Sequence, residues 1–193
     1  MTPNDRQPII VADAGPLIRL AAAGLLDTLR GLNRRIVLVD RVEEEAIGDP
    51  SKPYAREIAQ WITVMGEAVE HVRTIEGQGI ERLRRSEATF ENSQLLKRGM
   101  RNSGERAIRE FVELFEPMEP TEAVVVYEDS DVTTLLSASR VPLTTMTTRR
   151  FVRQIAEWGI NIDAIEALER IAPVFNLKPA LLTIVEPNPP SIK

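Results

Sequence analysis

The sequence contains no cysteine and only one histidine, His71. The lack of cysteine excludes disulfides, thiolate zinc sites and cysteine nucleophiles. A single histidine excludes histidine-rich metal sites and argues against a histidine-based catalytic triad. Any metal site in this chain must therefore be built from oxygen ligands, which favours Mg²⁺ or Mn²⁺ over Zn²⁺.

Long apolar runs are also missing. No apolar segment approaches the roughly 20 residues that a helix needs to span a bilayer, and the first residues, MTPNDRQP, lack the apolar core of a signal peptide. We therefore expect no membrane segment and a cytoplasmic location, which the lack of cysteine suits. The net charge of −5 offers no global basic field for nucleic acid, but a local basic patch is enough to bind one.

What the sequence does contain is typical of a globular α/β protein, with 43% hydrophobic and 27% charged residues among 193. Short segments that are apolar throughout alternate with segments of helical periodicity. We predict strands at 9–12, 35–40, 123–129 and 141–145, with a weaker candidate at AVEHVRTI. Because strands without polar alternation are buried on both sides, the pattern predicts a mainly parallel sheet covered by helices on both faces.

The segments between these strands predict helices. The strongest is NSGERAIREFVELFE, whose apolar residues recur at helical spacing. We predict the charged segment 80–101 to be a single helix with a loose end, and the tail EPNPPSIK to be flexible. The other predicted helices cover 17–23, 25–30, 40–48, 54–65, 131–139, 149–158 and 163–171.

Acidic residues follow three of the predicted strands, where parallel sheets bind their ligands. They are Asp13, Asp40, Glu128, Asp129 and Asp131. Each has a structural interpretation as well. Asp13 suits a turn or a helix cap, and Asp40 suits an N-cap that forms a capping box with Glu43.

Helical geometry separates the glutamates that follow the second strand. At about 100° per residue, Glu45 lies beside Val42 on the buried edge of its helix, whereas Glu44 faces solvent. Glu105 shares an apolar stripe with Ile108. A carboxylate on a buried edge is costly unless it is paired or binds a metal ion. These acids together predict an acidic pocket, in which a divalent cation would relieve the repulsion and could act on a phosphodiester.

The stretch VADAGPLIRLAAAGLLDTLRGLNRRIVLVDRVEEEA resembles the opening of PIN-domain proteins, in particular the VapC-type toxin ribonucleases and their close relatives. The resemblance covers about residues 8–160 and includes NSGERAI and VVVYEDSDV. On the family's pattern, Asp13, Glu45 and Glu105 are the first three metal-binding acids. The last motif selects Asp129 as the fourth, with Asp131 as its companion.

The resemblance implies a three-layer α/β/α sandwich and a Mg²⁺- or Mn²⁺-dependent ribonuclease that cleaves single-stranded RNA with a metal-bound water. It also implies the toxin of a toxin–antitoxin pair, an antitoxin protein as partner, and a homodimer. The PIN-like nuclease domain would cover residues 1–172, with an extended helical insertion at 73–103. Residues 173–193 would form a C-terminal tail.

Two groups of basic residues are candidates for contacting RNA phosphates, which favour arginine and helix N-termini. Arg149 and Arg150 begin a helix after a predicted strand. The other group precedes Glu105, and a solvated helix face explains it equally well. Its members are Arg82, Arg84, Arg85, Lys97, Arg98 and Arg101.

Gly15 supports an alternative function. The family often has Ser or Thr at this position, so a hydroxyl that helps to position the metal is missing here. The alternative is a PIN-like module that binds RNA or protein and is catalytically weak or inactive. A phosphatase with an aspartyl nucleophile is disfavoured, because such enzymes commonly need a second Asp at the position of Gly15.

Overall fold

The structure is a computed structural model that describes residues 8–32, 34–86, 90–114, 122–128 and 142–185. Its strands are β1 (Ile9–Ala12), β2 (Ile36–Val39), β3 (Val69–Val72), β4 (Ala123–Tyr127), β5 (Leu143–Thr147) and β6 (Leu182–Val185). They form a single sheet in the order β3-β2-β1-β4-β5-β6. All neighbouring strands are parallel except β6, which runs antiparallel to β5.

Helices flank this sheet in a three-layer α/β/α arrangement, which confirms the predicted fold class. They are α1 (Ala14–Ala22), α2 (Leu26–Gly31), α3 (Asp40–Ile47), α4 (Ala55–Met65), α5 (Ile75–Arg85), α6 (Phe90–Met100), α7 (Ser103–Leu114), α8 (Thr148–Glu157) and α9 (Ala164–Phe175). Among the described helices, none combines the length and the apolar character that crossing a membrane requires.

The position of each strand in the sheet explains its composition. Every residue of β1 and β2 is buried, because these strands lie inside the sheet with helices on both sides. The edge strand β6 is largely exposed, and the other edge strand, β3, is only partly buried. Val11 of β1 is in register with Val37 on one side and Val125 on the other. The core is therefore centred on β1.

The strand order places a crevice at the carboxyl end of β1. From β1 the chain builds β2 and β3 on one side, and it then crosses to build β4 and β5 on the other. Open α/β sheets bind ligands where the strand order reverses in this way. The backbone N–H of Asp13 donates to the carbonyl oxygen of Val126 at 3.0 Å, so the pairing of β1 with β4 continues to the site itself.

The segment predicted as one helix over 80–101 is instead two helices, α5 and α6, so that prediction is wrong. Helix α5 begins early because the hydroxyl of Thr74 caps it, accepting a hydrogen bond from the N–H of Gly77 at 3.0 Å. It ends at Ser86, whose backbone is extended.

Strand β6 was not predicted, and it lies within residues 173–193, the segment assigned to the tail. The predicted helix over 131–139 and the sequence EPNPPSIK lie outside the described residues. The division of the chain near residue 172 stays a prediction.

Asp40 joins α3 to the start of α5 instead of forming the predicted capping box. Its carboxylate accepts hydrogen bonds from the N–H and the hydroxyl of Thr74, at 3.1 and 2.7 Å, and from the N–H of Arg41 at 2.9 Å. Glu43 contacts Nδ1 of His71 at 2.9 Å. The capping prediction is therefore wrong, and Asp40 holds α5 against α3.

We expect two alanine substitutions in α5 to have opposite effects on stability. A Cβ at Gly77 would overlap the carboxylate of Asp40 and displace it from Thr74, whereas Gly79 has no heavy atom within 4 Å of such a Cβ. Gly77→Ala should lower the free energy of unfolding by about 1–3 kcal/mol. Gly79→Ala should raise it by about 0.5–1 kcal/mol. Urea unfolding measures both, and equal effects would contradict the contact.

Candidate functional site

Asp13 lies at the junction of β1 and α1, at the crevice described above. Its backbone is extended, with φ −77° and ψ 163°, and its carboxylate makes no capping hydrogen bond to α1. The carboxylate instead interacts with the N–H of Ala14, the first residue of α1. The side chain is partly buried at the end of a fully buried strand.

Gly104 brings the start of α7 against two carboxylates. A Cβ built on this buried glycine would lie 3.4 Å from Oδ1 of Asp13 and 3.5 Å from Oε2 of Glu45. The two oxygens are therefore at most about 7 Å apart. Helix α7 packs on α3, so both acids lie close to the α7 N-terminus at Gly104.

The electrostatics of Asp13 connect it to Glu45 and Glu105. The pKa of Asp13 is raised from 3.8 to about 7. Burial is the main cause, and the negative charges of Glu45 and Glu105 raise it further. A hydrogen bond from the Ala14 N–H and the charge of Arg19 act in the opposite direction. Strongly perturbed carboxylates in a crevice are typical of functional sites.

The structure thus places carboxylate oxygens of Asp13 and Glu45 beside Gly104. Glu105 is the next residue along α7, and its charge acts on Asp13. Glu105 is partly buried, but the prediction that Glu45 lies on a buried edge is wrong, because its side chain is exposed. Asp129 and Asp131 lie outside the described residues. The set of oxygen donors suits Mg²⁺ or Mn²⁺. However, the described ranges contain no group of three or more acidic or histidine side chains placed to hold a metal ion.

Glu128 is a site residue that the sequence analysis passed over in favour of Asp129. It directly follows β4, it is only 7% exposed, and its Oε1 has no hydrogen-bond partner among the described residues. Its Oε2 lies 3.7 Å from Nε of Arg19. An uncompensated buried carboxylate oxygen is costly. The signal that identifies Glu128 is its position directly after the strand beside β1.

The side chains of Arg19 and Glu128 also lie beside Gly15. A Cβ at Gly15 would lie 2.9 Å from Nη1 of Arg19 and 3.5 Å from Cβ and Cγ of Glu128. At the position where the resemblance leads us to expect a hydroxyl, this chain therefore has a guanidinium nitrogen and the aliphatic carbons of Glu128 as neighbours.

Both arginines predicted to contact phosphate form hydrogen bonds with other side chains of the protein. Arg149 donates to both carboxylate oxygens of Glu169, at 2.7 and 2.9 Å. Arg150 donates to Glu157 at 3.1 Å and to Gln154 at 2.8 Å. Their role toward RNA stays a prediction.

Helix α3 places another acid differently from the prediction. Glu44, which was predicted to face solvent, is partly buried and forms ion pairs with Arg41 and Arg84. Arg84 lies on α5, so the ion pair between Glu44 and Arg84 depends on how α5 packs beside α3.

Comparison with known proteins assigns no family to the chain. No protein-family model matches it. Searches of curated proteins and of solved structures likewise found no match.

The raised pKa of Asp13 predicts how stability depends on pH. Because the native pKa is about 7 and the ordinary value is 3.8, the folded protein keeps a proton here that the unfolded chain has already released. The stability from this group is complete below about pH 4 and is lost as the pH rises through about 7.

Replacing Asp13 with Asn should therefore flatten this loss. At about pH 8, Asp13→Asn should exceed the wild type in free energy of unfolding by roughly 1–3 kcal/mol, and the difference should shrink toward pH 4. Urea unfolding in EDTA measures it, with Asp27→Asn, at an exposed position on α2, as the matched control. If the free energy of unfolding of Asp13→Asn depended on pH as that of the wild type does, the raised pKa could not belong to Asp13.

Proposed function

We propose that the protein is an endoribonuclease that cleaves single-stranded RNA with Mg²⁺ or Mn²⁺. The observation that carries the proposal is the convergence of Glu45 and Glu105 on Asp13 at the point where the strand order reverses. Repelling carboxylates in one crevice favour a divalent cation between them. The resemblance of the same three acids to the metal-binding set of PIN-domain nucleases supports the assignment.

The chain's own residues would perform separate tasks around the metal. Asp13 is fixed by its backbone bond to Val126 and would be the rigid ligand. Glu45 is exposed, and its Oε2 lies beside Gly104, from where it would be the second ligand. Gly104 leaves space between them. When bound, a divalent ion supplies Lewis-acid activation of water and of the phosphodiester.

Three residues compete for the position of the fourth acid. The buried, unpartnered Oε1 of Glu128 supports that residue, and the motif VVVYEDSDV supports Asp129 or Asp131. Cβ and Cγ of Glu128 would lie 3.5 Å from a Cβ at Gly15, and we propose that the carboxylate beyond them takes over the role of the missing hydroxyl.

The wider biological role rests on the resemblance alone. We propose that the protein is the toxin of a toxin–antitoxin pair in the cytoplasm, with an antitoxin protein and a second copy of the chain as partners. The alternative is a catalytically weak PIN-like module that binds RNA or protein. The absence of a preformed metal-holding group among the described residues favours this alternative.

Asp13→Asn should abolish Mn²⁺-dependent cleavage of a labelled single-stranded RNA, because it removes the central carboxylate charge. The same substitution should remove the rise in melting temperature that Mn²⁺ produces in the wild type, since a bound metal stabilises the native state by linkage. Asp27→Asn should retain both properties. Full cleavage by Asp13→Asn would exclude the proposed site, and a wild type without either effect would favour the binding module.

Amide substitutions should identify the fourth acid. Glu128→Gln, Asp129→Asn and Asp131→Asn keep the side-chain shape but remove the charge. We expect Glu128→Gln to weaken Mn²⁺ affinity by about 10-fold or more, the range seen when a residue that supports a metal site is lost. Calorimetric titration with Mn²⁺ measures it. Unchanged affinity in Glu128→Gln, together with a loss in either Asp variant, would assign the role to the later acids.

A further inference from the structure

A groove rich in arginine lies between α3 and α5, beside the acidic site. Its volume is about 710 Å³, within the range of about 300–1,000 Å³ that is typical of ligand sites. We call it the arginine groove, and its basic lining consists of Arg41, Arg73, Arg82, Arg84 and Arg85.

The acids of this groove are already occupied by contacts within the protein. Asp40 accepts three hydrogen bonds that hold Thr74 and Arg41 in place. Glu44 forms ion pairs with Arg41 and Arg84, and Glu81 forms an ion pair with Arg85 on its own helix. No carboxylate in the lining is therefore left to neutralise a further cation.

Two arginines remain in excess. Arg73 and Arg82 are exposed, and within the described part of the chain neither has a carboxylate at ion-pair distance. The groove thus carries surplus positive charge in a protein whose net charge is −5. An arginine presents a planar fork of donors that matches phosphate oxygens in pairs.

Helix α3 and the start of α7 connect the arginine groove with the acidic site. Nε of the buried Arg41 donates to Oγ of Ser103 at 3.2 Å. Ser103 immediately precedes Gly104, where an added Cβ would lie 3.4 Å from Oδ1 of Asp13 and 3.5 Å from Oε2 of Glu45. On α3, Glu44 lines the groove and the next residue, Glu45, faces the acidic site. A chain of phosphates bound in the groove would therefore lead toward the acids.

We propose that the arginine groove binds the phosphate backbone of single-stranded RNA and that Arg73 and Arg82 are its phosphate ligands. This inference rests on the proposed function, since it supplies the track that delivers substrate to the acidic site. Contacts to phosphate fix position without reading sequence, so the groove contributes affinity and register more than base specificity.

The test compares two double variants that lose the same charge. Arg73→Gln/Arg82→Gln removes both proposed phosphate ligands. The control is Arg56→Gln/Arg153→Gln, at exposed arginines on α4 and α8 that have no ion pair within the described residues and lie outside the groove lining. Fluorescence anisotropy with a labelled single-stranded RNA of mixed sequence measures binding in EDTA, so that no metal-dependent cleavage occurs. Circular dichroism checks the fold of each variant.

The groove variant should raise the Kd about tenfold or more, whereas the control should bind nearly as the wild type does. The slope of log K against log salt should become shallower by about 1.4, which is about 0.7 for each lost phosphate contact on a single strand. Equal weakening in both double variants would overturn the assignment, as would unchanged binding in the groove variant.

The remaining outcomes are equally decisive. If poly-glutamate competes as strongly as unlabelled RNA, the groove binds an acidic protein segment and the RNA assignment is overturned. A wild type that binds no RNA also overturns it. Since binding is measured without metal, an inactive nuclease centre refutes the proposed function but does not change the difference between the two double variants.

Discussion

The parallel pairing of β1 between β2 and β4 is the constraint on which the site depends. It buries β1 completely, so every residue of the strand must be apolar, and the first polar side chain can appear only where the pairing ends. That side chain is Asp13, whose N–H still bonds to Val126 of β4. The same pairing sets the carboxyl end of β4 beside it, and with it the buried acid Glu128.

Charge is the second determinant of the site. The fold places Asp13 where burial and the two glutamates oppose its ionisation. Helix α7 begins directly beside this acid, since a Cβ at Gly104 would be in van der Waals contact with carboxylate oxygens of both Asp13 and Glu45. In the neighbouring arginine groove, Glu44 and Arg84 form an ion pair, and Arg73 and Arg82 have no ion pair within the described part of the chain. The acidic site and the arginine groove are thus neighbouring surfaces that share helix α3. This arrangement would suit a phosphodiester chain.

Local sequence features were sufficient to predict the mainly parallel sheet, and they marked Asp13, Glu45 and Glu105 as candidate site residues. Buried parallel strands are apolar without alternation, and their ends are marked by the first polar residue, so Asp13 was identifiable. Helical periodicity selected Glu45 and Glu105, although it misjudged the burial of Glu45, which depends on how far α3 extends past the sheet.

The remaining features depend on packing between distant segments. The ion pair of Glu44 with Arg84 depends on the position of α5, which Asp40 of α3 and Glu110 of α7 hold at its N-terminus. Whether Glu128 or its neighbour Asp129 enters the crevice depends on which residue ends β4. Successive residues of a strand point to opposite faces of the sheet, so a shift of one position changes which acid enters. Strand β6 is an exposed edge strand, so its sequence lacks the burial signal that marked β1 and β2. None of these contacts is encoded in a local pattern.

The central claim is that a divalent metal binds among Asp13, Glu45 and Glu105. The most direct test is a crystal structure of the protein soaked with Mn²⁺, with anomalous diffraction measured to locate the metal. Our account predicts an anomalous peak within bonding distance of an Asp13 carboxylate oxygen and of at least one of the two glutamates. A well-ordered crystal with no peak in this crevice, or with Mn²⁺ bound only elsewhere, would contradict it.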